Sequence, residues 1–380
     1  MWDTHEHCTK LHPLTAVKQS VRRGRGIRTL PPEVLGNIFT FASNTGWRVA
    51  VNLSQVCRAW RELAHSTPRV WTIVGCANPQ LLNHFLTLSN ACLIDVDIQL
   101  SPIYSNDDPN DFSTEAEKEQ ALDLEIAQVV APHSTRWRDF SLSSPIGNRV
   151  KNMLHLLSGS RAPRLRRLAV ASNEPCDYPA NTDPLPFPFL DTADMTWASL
   201  SMTVVDLSVS SNHITTLMLV ICPEIWGVLK IVAPSVHRVY LKWSDESFGD
   251  FRGNEIITLT ALHKLALDVE DESWEIIFDI IDHLIAPKLL ECILRTEMDP
   301  YYLGPYIDMR TINPPPSPTH FPSLRIMKCD LIRSGTEYEA DFMNGLIVLP
   351  HLMHRMDTVT TLSIENGCAT AHLLGLFSAR

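Results

Sequence analysis

Two short histidine-bearing runs are the first places where this chain could do chemistry. HEHC, His5 to Cys8, puts two imidazoles and a thiol within four residues, and HLMH, His351 to His354, spaces two histidines at i, i+3. Nitrogen and sulfur donors suit zinc, but a structural zinc site needs four ligands and neither run has a matching second half. GRGIRTLPPEVLG places Gly24 and Gly26 like the opening of a dinucleotide loop, yet no strand precedes it to aim a backbone at a phosphate. The paired acids Asp107 and Asp108, and Asp245 and Glu246, sit in polar stretches and read as solvated. The chain contains no P-loop, no G-x-S-x-G and no C-x-x-C. Catalytic residues, cofactor and metal are all read as none, so the expectation is a non-enzymatic protein that acts through its surfaces.

Surfaces have to be carried by folded elements, and the composition allows them. Of 380 residues, 45% are hydrophobic, the share of a folded chain. Nine scattered cysteines without paired spacing read as free thiols in a reducing compartment. No apolar core follows the basic N-terminus as in a secretory signal, and no run approaches a membrane span, so the expectation is a soluble protein of the cytoplasm, the nucleus or both, with no membrane partner. The net charge of −11 is uneven. Residues 1–28 carry six Lys/Arg against two acids, for +4, and residues 29–74 carry four against two, for +2. That leaves 22 Lys/Arg against 39 Asp/Glu, or −17, on residues 75–380. A body this acidic argues against a nucleic-acid partner, because phosphate contacts need a basic surface. The basic arm, with Arg22, Arg23, Arg25 and Arg28, reads as a disordered tail or an import signal.

The first structured unit is predicted over residues 29–74. Pro31 or Pro32 suits an opening helical turn, and Glu33 complements the dipole there. Val34, Leu35, Ile38 and Phe39 follow at helical spacing. After the ASNTGW turn, VNLSQVCRAWRELAHST brings Leu53, Val56, Cys57, Trp60, Leu63 and Ala64 round at i+3 and i+4, which predicts one amphipathic helix. Pro68 should end it, with Trp71 returning to the core. Forty-odd residues cannot cover so many large apolar groups by themselves. Either the rest of the chain or another protein must cover the excess.

The spacing L-P-x-E-V-L-x-x-I-F, then L-S-x-V-C-R-x-W-R-x-L-A, then P-x-V-W, resembles the F-box in the form common among fungal F-box proteins. The resemblance implies docking onto a Skp-type adaptor and, through it, a cullin within a ubiquitin ligase. It also implies that Leu30, Pro31, Leu35, Ile38, Phe39, Val56, Cys57, Trp60 and Leu63 form or support the docking surface.

Beyond residue 75 the pattern changes to short runs of the form L-x-x-L-x-L. They begin at residues 93, 137, 165, 214, 236, 262, 289, 324 and 359, with VVDLSV at 204 a further candidate. The middle spacings of 22, 26 and 27 residues fall in the leucine-rich-repeat range. Helical patterns alternate with them: Thr114 and Glu117 as a capping box before Leu122, Ile126 and Val129, then NRVKNMLHLLSG, SWEIIFDIIDHLI, and YEADFMNGLIVL capped by Thr336 with Glu339. Only Asn173 and Cys222 supply the Asn or Cys that such repeats usually place after the strand. Two proline-rich stretches, EPCDYPANTDPLPFPF and DPYYLGPYIDMRTINPPPSPTHFP, read as long loops.

The expected fold is therefore α/β: a disordered basic arm over 1–28, a small helical F-box over 29–74, and an irregular leucine-rich-repeat-like solenoid over 75–380 with a parallel sheet and flanking helices. The expected function is a non-catalytic substrate receptor that holds an unidentified protein substrate. The alternatives are an F-box interaction protein acting with its adaptor outside a ligase, and an enzyme of unrecognised type in residues 75–380.

Overall fold

A computed structural model describes residues 30–75, 78–101, 112–172, 194–201, 213–220, 225–243, 256–270, 281, 283–298, 320–333 and 359–365. Three helices come first: α1 (Pro32–Ser43), α2 (Trp47–Gln55) and α3 (Arg58–His65), closed by a 3-10 turn over Pro68–Trp71. Pro32 opens α1 where a missing N–H costs nothing. Gly46, at φ +146°, occupies backbone space that side chains disfavour and turns the chain into α2.

The predicted single helix over residues 51–67 is instead two helices. Cys57 is extended, at φ −161° and ψ 170°, and separates α2 from α3. Arg61 Nε bonds back to the Ser54 carbonyl at 3.1 Å, satisfying a group the break exposes. The break turns Val56 and Cys57 outward while Ala50 and Ser54 of α2 and Ala64 of α3 face inward. Spacing alone reads Val56, Cys57 and Ala64 as one stripe, because i+3 and i+4 intervals continue across the gap.

The rest of the described chain is a sheet of eleven parallel strands backed by helices. The sheet runs β1 (Ile73–Gly75), β2 (Ile94–Gln99), β3 (Trp137–Ser144), β4 (Arg167–Ser172), β5 (Trp197–Ser201), β6 (Thr216–Val220), β7 (Arg238–Trp243), β9 (Lys264–Glu270), β11 (Glu291–Met298), β12 (Ile326–Arg333) and β13 (Thr361–Glu365). Chain order and spatial order coincide. The short strands β8 (Ile257–Thr258) and β10 (Leu284–Ile285) pair with each other in a separate ladder. All nine predicted runs beginning at 93 through 359 contain a strand, and the alternation explains why. Residues such as Ile94, Val96 and Ile98, or Leu217 and Leu219, are buried on one face, while their neighbours lie on the other. The additional strand in the long interval is β5, ahead of the VVDLSV run, which itself lies outside the described residues.

The crossovers hold α4 (Pro79–Leu88), α5 (Phe112–Val130), α6 (Gly147–Leu156) and α7 (Ile225–Val232). Asn78 caps α4, its side chain accepting from the Leu81 N–H at 3.1 Å. Helix α5 begins at Phe112, two residues before Thr114, so the predicted capping box falls inside the helix. Leu284 and Ile285, expected at the end of a helix over SWEIIFDIIDHLI, belong to β10, and most of that run lies outside the described residues. The helix expected over YEADFMNGLIVL and almost all of the two proline-rich stretches also lie outside them.

One hydrophobic core runs from Leu35 and Phe39 in α1 through to Met327 in β12. The join between helices and sheet is aromatic: Trp71 is buried, stacks on Phe85 at 5.6 Å, and donates its indole N–H to the Ala64 carbonyl at 2.8 Å. Trp47 packs 5.8 Å from the same phenyl ring and lies against β1. A Cβ on Gly75 would sit 2.6 Å from Trp47 Cδ1, so glycine there is what lets α2 approach the first strand. The helical unit is thereby held on the sheet's first edge.

Candidate functional site

Helix α1 is apolar on nearly every side, and the structure separates its sides. Leu35 is 8% exposed and Phe39 fully buried, with the Phe39 ring 4.8 Å from Trp60. Gly36 faces the same way, over Leu63 and Thr67. On the other side Val34 is 43%, Ile38 43% and Phe41 80% exposed, with Leu30 at 38% just ahead of the helix. At 3.6 residues per turn, positions 34, 38 and 41 fall within about 60° of one another, so they form one stripe. Water-facing apolar side chains occur singly on any protein. Three in a row on one helix face leave a surface whose apolar area nothing in this chain covers among the described residues.

The residues expected to form or support this surface are therefore placed at different depths. Leu30, Pro31, Ile38, Val56 and Cys57 are exposed, with Val56 at 61% and Cys57 at the junction of α2 and α3. Trp60 and Leu63 are partly buried and pack against the core. Leu35 and Phe39 lie beneath the stripe, so a charge at Leu35 would test folding before it tested docking. Val34 and Phe41 are the residues the sequence reading left out of the set. The signal was present in the i, i+4, i+7 spacing of residues 34, 38 and 41, but Leu35 and Phe39 supply an equally good spacing on the opposite side.

Electrostatics does not compete with this apolar character. In the helical unit Arg58 pairs with Glu62 at 2.8 Å, solvent-exposed on α3. Burial, with the neighbouring His84 and Arg61, holds His65, near Trp71, below its ordinary range.

The sheet presents a second surface. The face opposite the buried strand positions carries in-register rows of mostly half-buried residues, one of which reads Asp97, Ser141, Ala169, Ser199, Met218, Tyr240, Ala266, Ile293 and Lys328 from β2 to β12. Ala169 and Ser199 in this row are small and neutral, and Met218 beside them is uncharged. Polar pairs flank it: Tyr240 donates to Asp268, and Glu291 bridges Lys264 at 3.0 Å and Lys328 at 2.7 Å. Those two lysines hold the Glu291 carboxyl below the usual carboxylate range.

Among the described residues no three His, Cys, Asp or Glu side chains converge on a possible metal position. No helix of the described residues is long and apolar enough to cross a membrane. His5 to Cys8, His351 to His354, the Gly24 and Gly26 loop, and both acid pairs lie outside the described residues. Comparison with known families matches residues 27–76 to the F-box-like family. No curated protein matches the chain.

Proposed function

We propose that this protein is the substrate-recognition subunit of a Skp-cullin-F-box ubiquitin ligase complex. The carrying observation is the exposed stripe Val34, Ile38 and Phe41, with Leu30 just ahead of it, on a helix whose other side is sealed into the core, within the stretch that matches the F-box-like family. An apolar face of this kind is stabilised only by a partner, and the partner implied is a Skp-type adaptor that joins the chain to a cullin. Val56 and Cys57 extend the docking surface, and Leu35, Phe39, Trp60 and Leu63 hold α1 at the angle at which its stripe faces out.

Residues 75–380 then act as an irregular leucine-rich-repeat-like solenoid, a reading supported by parallel strands whose spatial order follows the chain. The sheet face opposite the buried strand positions binds the protein substrate. The chain supplies no chemistry. It raises the effective concentration of a substrate lysine beside a ubiquitin-conjugating enzyme, which converts a rare encounter into an intramolecular one.

The test is affinity capture of the full chain with a Skp-type adaptor and a cullin present. The wild-type chain is expected to retain both, and an Ile38→Asp, Phe41→Asp variant neither, with its melting temperature unchanged. Adaptor captured without cullin would leave an interaction protein acting outside a ligase. No capture of adaptor by the wild-type chain would overturn the proposal.

A further inference from the structure

The two variable positions of the L-x-x-L-x-L runs are not filled at random. Where the runs begin strands of the sheet, those positions read Ile94 and Asp95, Arg138 and Asp139, Arg166 and Arg167, Thr215 and Thr216, His237 and Arg238, His263 and Lys264, Leu290 and Glu291, Arg325 and Ile326, and Thr360 and Thr361, with Thr196 and Trp197 at the matching place on β5. The register aligns them. Arg167, Trp197, Thr216, Arg238 and Lys264 are successive partners from β4 to β9. One position earlier, the carbonyls of Arg166, Thr196, Thr215, His237 and His263 each accept two successive backbone N–H groups from the next strand, which keeps this row aligned as well. The leading edge of the sheet is therefore a band two residues deep.

That band is basic on an acidic body. From β2 to β13 it holds six Lys/Arg (138, 166, 167, 238, 264 and 325) against three acids (95, 139 and 291), a balance of +3, whereas residues 75–380 as a whole carry −17. Arg166, Arg167, His237, Arg238, His263 and Arg325 are exposed. Some of the charge is already answered: Arg138 pairs with Asp95, Lys264 with Glu291, and the Arg167 guanidinium lies 4.7 Å over the Trp197 ring. Arg166 and Arg238 enter no ion pair among the described residues. Strand spacing of about 4.8 Å separates Arg167 on β4 from Arg238 on β7 by roughly 14 Å, and from Lys264 on β9 by roughly 19 Å. An extended segment of about six residues spans that distance.

We infer that this leading edge docks an extended acidic segment of a partner protein, laid across the strand starts with carboxylates on Arg166, Arg167 and Arg238. The inference rests on the receptor reading above, and names the class of substrate that such a receptor would take. Complementary charge of this kind sets association rate and partner choice, and it is sensitive to salt. The acidic remainder of the body repels a polyanion as long as a nucleic acid, while a short acidic segment can meet the band alone.

The experiment uses the full chain with its adaptor and three fluorescein-labelled probes: a 12-residue peptide of alternating Glu and Gly, the same peptide with Gln for Glu, and single-stranded oligothymidine. The Glu peptide is expected to bind at low salt and weaken as salt rises, with the Gln peptide silent and the DNA weaker. Arg166→Glu with Arg238→Glu should weaken the Glu peptide about tenfold or more. Arg166→Gln with Arg238→Gln should fall between, and adaptor capture should be unchanged in both. Equal peptide affinity in the Glu variant, no saturable peptide binding by the wild type, or tighter binding of DNA would each overturn the inference. Peptide binding is scored separately from adaptor capture, so loss of the receptor reading would register in the second measurement and not the first.

Discussion

Phe39 and Phe41 are the same residue type two positions apart on one helix, and they should fail in opposite assays. Phe39 is fully buried and its ring meets Trp60 at 4.8 Å and 57°. Truncation to Ala removes the transfer energy of the ring and leaves a cavity, so Phe39→Ala should cost about 3–5 kcal/mol of stability. Phe41 is 80% exposed, so Phe41→Ala should change stability by no more than about 0.5 kcal/mol. Its worth appears on docking. A phenylalanine side chain offers roughly 200 Å², of which about 160 Å² is available here to a partner. At about 25 cal/mol per Å² that is roughly 4 kcal/mol gross. Ordering and desolvation costs remove about half, leaving a loss of about 2 kcal/mol, or roughly 30-fold in Kd. Urea unfolding of the full chain reads the first quantity, and calorimetric titration with a Skp-type adaptor, scaled to folded protein, reads the second. The crossed pattern is the prediction: Phe39→Ala less stable but binding normally when folded, Phe41→Ala stable but weakly bound. Undiminished adaptor affinity in Phe41→Ala would refute the assignment of this face, and a neutral Phe39→Ala would refute the depth assigned to α1.

Four further outcomes follow from the packing. Arg149, 5% exposed, donates to both Asp123 oxygens at 2.8 and 2.7 Å and to the Ser101 carbonyl at 2.8 Å, tying α6 to α5; Asp123→Ala should lower urea stability by about 3–5 kcal/mol, and Asp123→Leu with Arg149→Met should recover most of it. Gly75→Ala should lower the melting temperature by displacing Trp47, and the penalty should shrink in a Trp47→Ala background; strict additivity of the two changes would contradict the close approach. Burial holds the Asp97 carboxyl above the usual range, against opposing hydrogen bonds from Ser141 and Gln99. A raised folded-state value makes ionisation costly above it, and the cost disappears below the unfolded value, so Asp97→Asn should raise the melting temperature at pH 7 and leave it unchanged near pH 3. Ending the chain after Ile257 would strip β9 from β7 and expose Val239 and Leu241, so calorimetry should show no cooperative melting of that fragment.

The residue pattern was sufficient to place nine of the eleven strands of the sheet, all but β1 and β5. A buried position alternating with a less buried one, as in Leu168, Ala169 and Val170, is a local property, and all nine predicted runs contain a strand for that reason. The helical unit was legible too, because its large apolar residues recur at spacings that a 45-residue segment has no other use for. What the pattern could not decide was depth. Helix α1 is apolar around most of its circumference, so Leu35 and Phe39 read no differently from Val34, Ile38 and Phe41 until the core takes one side and leaves the other. The break at Cys57 was hidden for a related reason: i+3 and i+4 intervals persist through a reoriented joint, and only packing of Ala50 and Ala64 on both sides requires it. Strand β1 is three residues long, too short for alternation to show, and exists because β2 and Trp47 hold it. The basic band has the same origin. Each pair such as Arg166 and Arg167 is unremarkable in its own run, and parallel register across the sheet turns scattered charges into one surface.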